Sequence, residues 1–324
     1  MDPVEPLHAF GQIKLLADPR RLAVLRLLMA RPATLTQLAG TLGRSPAWVR
    51  HHLRILEDAG LVELSQVRTT GTVTEKYYRA HASAFLLQQV ILPKTRKPVV
   101  IFAGSHDLAL EDMAVSLARH LTMLSMPVGS LDGLVDLRQG LCQLSGAHLL
   151  DPNGEYNTPF VRHLFPDRDV RLITLAERTQ GLMLAPGNPR SITALDDLQR
   201  PNVRFVNRNP GSGTRLWLDA EFKRRGIRID RVRGYDRDVK THTEAASLVR
   251  SDRADCALGL QAAAARHGLA FIPLFEERYD LVLLRENERV LAPLLDHMQT
   301  AAFRIGLNSL PGYNSARSGE QIFL

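Results

Sequence analysis

Cysteine is scarce in this chain: its 324 residues hold two, Cys142 and Cys256. They stand far apart and match no metal-ligand spacing, which excludes a disulfide scaffold or thiolate cluster and points to a reducing compartment. Long apolar runs are also missing, and none approaches the ~18 residues needed to span a bilayer. The opening Met1-Asp-Pro-Val-Glu-Pro6 is acidic and lacks the apolar stretch of a secretory signal. A cytoplasmic protein with no membrane contact is therefore expected. Two catalytic signatures are absent as well. A nucleophile elbow around Ser212 needs glycine at position 210, which is Pro, and no Gly-Lys-Ser/Thr follows the glycines to make a nucleotide loop. Neither an enzyme nor a cofactor is expected.

What is present is unevenly placed. The net charge is +7, and residues 1–97 hold 14 Lys/Arg against 7 Asp/Glu. The N-terminal segment thus carries all the excess positive charge, as a phosphate-binding surface does, while the remainder is neutral. The length predicts two or three domains, each able to bury a core, and a composition of 45% apolar and 23% charged residues is that of an ordinary soluble protein.

Three helix starts follow one another in the head. Asp18-Pro19 is an N-cap with proline at the first helical position, leading Leu22, Leu25, Leu28 and Met29. Thr34-Leu-Thr-Gln37 fits a capping box, followed by Leu35, Leu38 and Leu42 and a stop at Gly43. Ser45-Pro46 opens a third helix to about Asp58, stopped by Gly60. There Val49, Leu53 and Leu56 fall on one face, leaving Ala47, Arg50, His51 and Arg54 outside, a pattern suited to the major groove. Leu61–Val67 and Val73–Tyr78, around Thr69-Thr-Gly71, predict a hairpin with Arg68 and Lys76 placed for phosphates. Helices at about 6–16 and 82–92 are expected to expose apolar stripes that pair two subunits into a homodimer.

Residues 10–80 resemble the ArsR-type winged helix-turn-helix repressors, notably at Leu16-Ala-Asp-Pro-Arg-Arg-Leu22 and Val49-Arg-His-His-Leu-Arg-Ile-Leu-Glu-Asp-Ala-Gly-Leu-Val62. The resemblance implies operator DNA as a partner, contacted by Ser45, Ala47, Arg50, His51, Arg54, Arg68 and Lys76. Many such repressors sense metals, but this head has no cysteine, and adjacent His51 and His52 point in different directions; no metal site is expected. His52 reads as packing and His51 as facing the groove.

After a basic, proline-bounded linker at Leu92–Pro98, short apolar strands alternate with amphipathic helices. The strands are expected at Val99–Ala103, Met126–Leu131, Val170–Leu175, Gly181–Ala185, Val203–Val206, Cys256–Leu260 and Leu281–Leu284. This pattern predicts an open α/β fold with parallel strands and a ligand beyond their carboxyl ends. Polar clusters stand there: Gly104–Asp107, Gly129–Gly133 and Asn207–Arg215. In the last, Gly211 and Gly213 permit close backbone approach, Ser212 and Thr214 bring hydroxyls, and Arg215 brings a charge, which together make a cradle for a small anion.

Ala147–Asp151, Gly154–Asn157, Glu177–Gly181, Gly187–Pro189, Gly234-Tyr235, Thr241-His242 and Pro311–Tyr313 resemble, in order and spacing, the periplasmic-binding-protein-like domain related to molybdate- and tungstate-binding proteins. The resemblance implies a type II α/β domain over 98–324 behind an α+β winged head at 1–97. Lobe I would cover about 98–182 and 282–324, and lobe II about 183–281. It implies a molybdate or tungstate ligand. Such an oxyanion offers only acceptors, so donors without nearby carboxylates are expected: Ser105, Ser130, Ser212, Thr214 and the Gly211–Gly213 backbone, with Arg178, Arg215, Tyr235 and His242 contributing. Ser105 and Ser130 also read as N-caps, Arg215 also reads as a partner of Asp219, and His148, Tyr156 and Asn157 fit packing as well as contact. The expected function is a one-component, ligand-responsive transcription regulator. Sulfate, another oxyanion or a small organic acid are alternative ligands, and a molybdate-buffering protein is an alternative function.

Overall fold

The computed structural model describes residues 5–7, 9–87 and 90–324, and the chain divides into two compact units, 1–91 and 92–324. In the first unit, β1 (Glu5–Leu7), α1 (Phe10–Leu16), α2 (Pro19–Ala30), β2 (Ala33–Thr34), α3 (Leu35–Leu42) and α4 (Pro46–Asp58) precede the wing strands β3 (Val62–Thr70) and β4 (Val73–Ala80) and a short β5 (Phe85–Leu87). Local chemistry sets the helix starts. Asp18 accepts from the Arg20 N–H at 2.9 Å, Thr34 and Gln37 complete a reciprocal capping box, and Ser45 accepts from the Trp48 N–H at 3.2 Å. Val24, Leu25, Leu28, Leu38, Val49, Leu53 and Leu56 form the core of this winged helix-turn-helix.

The expected helices flanking the head need correction. The first begins only at Phe10, and Phe85–Leu87 of the second is a strand that pairs in parallel with Glu5–Leu7. Residues 88 and 89 of that expected helix lie outside the described residues. A short leucine-rich run carries no period that separates helix from strand. Here pairing decides it, because Leu7 is buried and Phe85 packs on the head core.

The second unit runs through β6 (Val99–Gly104), α5 (Leu108–Ser116), β7 (Thr122–Met126), α6 (Ser130–Arg138), β8 (Leu144–Ala147), α7 (Thr158–Leu164) and the long β9 (Val170–Leu184). It continues with β10 (Phe205–Arg208), α8 (Gly213–Arg225), β11 (Asp238–Val239), α9 (His242–Arg250), β12 (Cys256–Leu260), α10 (Gln261–Arg266) and the long β13 (Ala270–Leu284), then α11 (Glu288–Met298), α12 (Ala301–Asn308), β14 (Tyr313–Asn314) and β15 (Gln321–Phe323). The strand order β11-β10-β12-β9-β13-β8-β6-β7 makes β9 and β13 a 15-residue antiparallel pair crossing between two lobes. Ile101, Leu134, Val161 and Val282 centre the core of the first lobe; Leu195, Val203, Phe205, Leu218 and Phe222 centre that of the second.

Four strand expectations also change. The sheet is mixed, with parallel strands inside each lobe and antiparallel crossovers. The second strand is Thr122–Met126, and Ser130 already begins a helix. The two strands expected at 170–175 and 181–185 are one, because polar Glu177–Gln180 stay in register against Phe275–Arg278. The same pairing extends the strand expected at 281–284 back to Ala270.

Candidate functional site

In the head, the residues expected at DNA are accessible, although the register Val67↔Lys76 and Arg68↔Glu75 puts Arg68 and Lys76 on opposite faces of the wing. Ser45, Ala47, Arg50, His51 and Arg54 are exposed on or just before α4, whereas His52 is buried and edge-on to Trp48. Arg68 and Lys76 are exposed on the wing, with Arg68 lying over the Tyr77 ring. Arg50, Arg54 and Lys76 line one groove of about 700 Å³ between helix and wing.

In the second unit, four helix N-termini converge. Asp107 caps α5, Ser130 opens α6, Ser212 caps α8 and Thr241 caps α9. The lobes touch directly around them. Asn209 Nδ2 donates to the Val128 carbonyl at 3.0 Å. Gly129 (φ 108°) lies so close to the Gly211–Ser212 backbone that a Cβ there would sit 3.2 Å from it. A Cβ on Gly213 would come within 2.5 Å of both His148 O and His148 Nδ1. These glycines therefore serve the approach of one lobe to the other.

The expected anion cradle is engaged with protein groups. Ser212 Oγ donates to the Asn209 carbonyl at 2.8 Å while capping α8, and Thr214 Oγ1 donates to Gln180 Oε1 at 3.0 Å. Arg215 pairs with Asp219 at 3.0 Å and lies 3.9 Å over the Tyr235 ring, whose hydroxyl donates to the same carboxylate. Ser105 Oγ lies 2.7 Å from His148 Nε2, and Ser130 Oγ accepts from the His148 N–H at 3.2 Å. Asn157 organises its loop, bonding Ala147, Leu149 and Asp280.

Carboxylates stand at the centre, where none was expected. Arg178 donates to Asp107 at 2.7 Å and to Glu277, all three side chains being buried, and its guanidinium lies 4.0 Å over Tyr279. Glu277 Oε2 also meets His148 Nδ1 at 2.5 Å. Burial opposes ionisation of Glu277, but Arg178 and His148 hold its pKa down at about 2. Burial keeps His148 neutral, with Arg178 and Arg208 adding to the effect against Glu277. With Nδ1 donating to Glu277, its Nε2 accepts the Ser105 hydroxyl proton.

Both central carboxylates are thus engaged with Arg178, and Arg208 is left without one. Its side chain is fully buried, and Nη2 donates to the Lys240 carbonyl at 2.8 Å. Among the described residues nothing accepts from its Nε or Nη1. Burial, together with the Arg178 charge, pulls its pKa down to about 10. Beside it, His242 is buried, and among the described residues neither ring nitrogen has a partner; burial and the Arg208 and Arg178 charges push its pKa well below the ordinary value. The His106 ring lies 6.0 Å away. The result is a buried guanidinium with two unpartnered donor nitrogens beside a neutral imidazole, ringed by the positive ends of helices. Such an arrangement accommodates an acceptor-rich anion.

Reading the sequence missed Arg208, Asp107 and Glu277. Arg208 sits inside the Asn207–Arg215 run, but on the strand rather than in the turn. Its signal was a cation two residues beyond Val206, the end of the expected apolar strand. Glu277 gave none, because Glu276-Glu-Arg278 reads as a solvated loop.

The model for the PBP superfamily domain matches residues 114–299, and that for bacterial regulatory proteins of the arsR family matches residues 18–63. The uncharacterized protein YvgK of Bacillus subtilis (strain 168) is 34% identical over 229 residues, covering 70% of this chain and 74% of that protein. An uncharacterized protein in the ferredoxin 2Fe-2S gene 5' region of Clostridium pasteurianum is 32% identical over 108 residues, 32% of this chain and 96% of that one. Among solved structures, the sulfate-binding protein SubI from Mycobacterium tuberculosis H37Rv shares the fold, with a TM-score of 0.51 at 13% identity over 67% of this chain and 86% of that chain. The chain belongs to the PBP superfamily and joins that domain to an arsR-family helix-turn-helix.

Proposed function

We propose that this PBP-superfamily chain is a one-component transcription regulator whose arsR-type head binds operator DNA and whose second unit senses a small oxyanion between its lobes. Arg208 carries this reading: a buried cation with two unpartnered donor nitrogens, at the carboxyl end of a strand and bonded to the Lys240 carbonyl just before α9. Such a group stays buried at a cost unless something acidic meets it. SubI, which shares the fold, is a sulfate-binding protein, and this supports an oxyanion as the class. Molybdate and tungstate are the first ions to test. The Gly211–Arg215 turn, with Ser105, Ser130, Arg178, Tyr235 and His242, forms the surrounding shell, and its lobe-to-lobe contacts make closure sensitive to an occupant.

On the DNA side we assign Arg50, Arg54, His51, Ala47 and Ser45 to the groove and Arg68 and Lys76 to phosphates. The exposed Phe10, Leu86, Leu87 and Ile91 are assigned to a second copy of the chain. Regulation requires that the anion bind the DNA-competent and DNA-incompetent states unequally.

The test is thermal unfolding with molybdate, tungstate, sulfate, phosphate and small carboxylates, because a ligand of the folded state raises its stability. At least one should raise the transition of the wild type, change operator affinity, and lose both effects in Arg208→Met. An anion response that survives intact in Arg208→Met, or no response to any member of the panel, defeats the proposal.

A further inference from the structure

A second cavity lies at the seam of the lobes, and neither Arg208 nor His242 lines it. Beside Gly213 and the His148–Glu277 pair a recess of about 360 Å³ opens between the lobes. Leu150 and Tyr156 wall it from one lobe, Leu216 and Trp217 of α8 from the other, and Phe275 from the crossover strand β13. The Trp217 and Phe275 rings stack at 3.8 Å between centroids, 19° from parallel. Leu150 and Leu216 are each 45% exposed, so the recess is open to solvent on their side. A few hundred Å³ with apolar, aromatic walls and few polar groups describes a site for an organic small molecule.

The charge in this recess is of one sign. No lysine or arginine lines it, burial keeps His148 neutral, and its two charged residues are Asp151 and Glu277. Glu277 is already matched by Arg178. Arg278, which donates to the Tyr156 carbonyl at 2.8 Å, is matched by Asp280. Asp151 is not: its Oδ1 accepts from the Asn153 and Glu155 N–H groups at 2.9 and 2.7 Å, and its Oδ2 from Asn153 Nδ2 at 3.1 Å. These neutral donors fix the carboxylate, leave a lone pair on Oδ2 and cancel none of its charge. Among the described residues no cation pairs with it. A body entering the recess therefore meets aromatic rings, whose faces attract positive charge, together with an unmatched carboxylate. An anion is repelled there and a neutral body uses the walls alone, whereas a cation uses both.

We infer that this recess is a second effector site, taking an organic cation whose ammonium or amidinium group meets Asp151 while its apolar body packs against Tyr156, Trp217 and Phe275. Because the walls come from both lobes, an occupant ties them together and favours their closed arrangement. The binding stands independently of the oxyanion reading, and its role as an input to regulation rests on that reading.

The chain has two tryptophans, Trp48 in the head and Trp217 in the recess. Trp48→Phe therefore makes emission a direct report on the recess. That variant is titrated at constant ionic strength with tetramethylammonium, benzyltrimethylammonium and benzamidine, and in parallel with benzyl alcohol and benzoate. Thermal unfolding of the wild-type chain is the second readout. Benzyltrimethylammonium or benzamidine should saturate with a change in Trp217 emission and raise the transition of the second unit. Its binding should be about ten-fold or more tighter than that of benzyl alcohol, with benzoate weaker still. Asp151→Asn, which keeps an acceptor for its loop, should erase the preference for cation over alcohol. Leu216→Lys, at a half-exposed position, should erase it too by placing a like charge in the recess. Arg208→Met should keep the cation response while losing the response to oxyanions. If no cation exceeds benzyl alcohol in either readout, or if Asp151→Asn or Leu216→Lys keeps the preference, the organic-cation site is refuted while the oxyanion sensor stands. If Arg208→Met abolishes cation binding, the recess is no separate site and the inference falls as well.

Discussion

Replacing Arg208 with Met should make the second unit more stable and deaf to anions. Holding the buried guanidinium at a pKa of about 10, well below its ordinary value, corresponds to about 3 kcal/mol against the charged form. At pH 7 the group is charged both folded and unfolded, so that whole penalty is present. It is relieved only as pH rises above about 10, where the folded chain sheds the proton before the unfolded one does. Met removes the charge and keeps much of the stem, but it forfeits the bond to the Lys240 carbonyl, worth about 1–2 kcal/mol. The balance is a gain of roughly 1–2 kcal/mol, and for a unit of this size each kcal/mol moves the midpoint by about 2–4 °C. Differential scanning calorimetry of the wild type and variant in anion-free buffer should show the rise for the second unit. The same pair with added anion should show the wild type catching up. A variant destabilised by more than about 1 kcal/mol would refute the argument, because Arg208 would then be holding the fold together rather than waiting for a partner.

Gly213→Ala should push the lobes apart. Its Cβ would meet the His148 carbonyl at 2.5 Å, backbone that cannot swing away, at an overpacking cost of about 1–3 kcal/mol; loss of amide protection at residues 128–130 in hydrogen exchange reads this out. The second unit should weaken as pH falls below about 6.5, since His148 and His242 are held neutral when folded and take up protons when unfolded. The slope is about 1.4 kcal/mol per pH unit for each, measurable in urea melts, and a flat profile from pH 7 to 5.5 would contradict it. Arg50→Ala and Arg54→Ala should each weaken operator binding by about 1–3 kcal/mol in gel-shift titrations while leaving anion-induced stabilisation unchanged.

The head was legible in the sequence because its signals are local. Asp18, Thr34 with Gln37, and Ser45 each satisfy donors two or three residues away, so helix starts are written where they occur. The exposed face of α4 follows from the period of Val49, Leu53 and Leu56 alone. The Asn207–Arg215 run was likewise legible as a strand, turn and helix start, since glycine and a capping serine act within one turn of backbone. Its chemistry was not. Arg215 and Thr214 carry the expected donors, yet folding brings Asp219 and Gln180 to them. Which cations remain free depends on contacts far apart in the chain: Arg178 with Glu277, 99 residues on, and Asp107 with Tyr313, 206 residues on. Sequence period determines which face of an element is buried. Only the meeting of four helix ends and two crossover strands decides that Arg178 is neutralised and Arg208 is not, because in a dry interior a charge is defined by its neighbours.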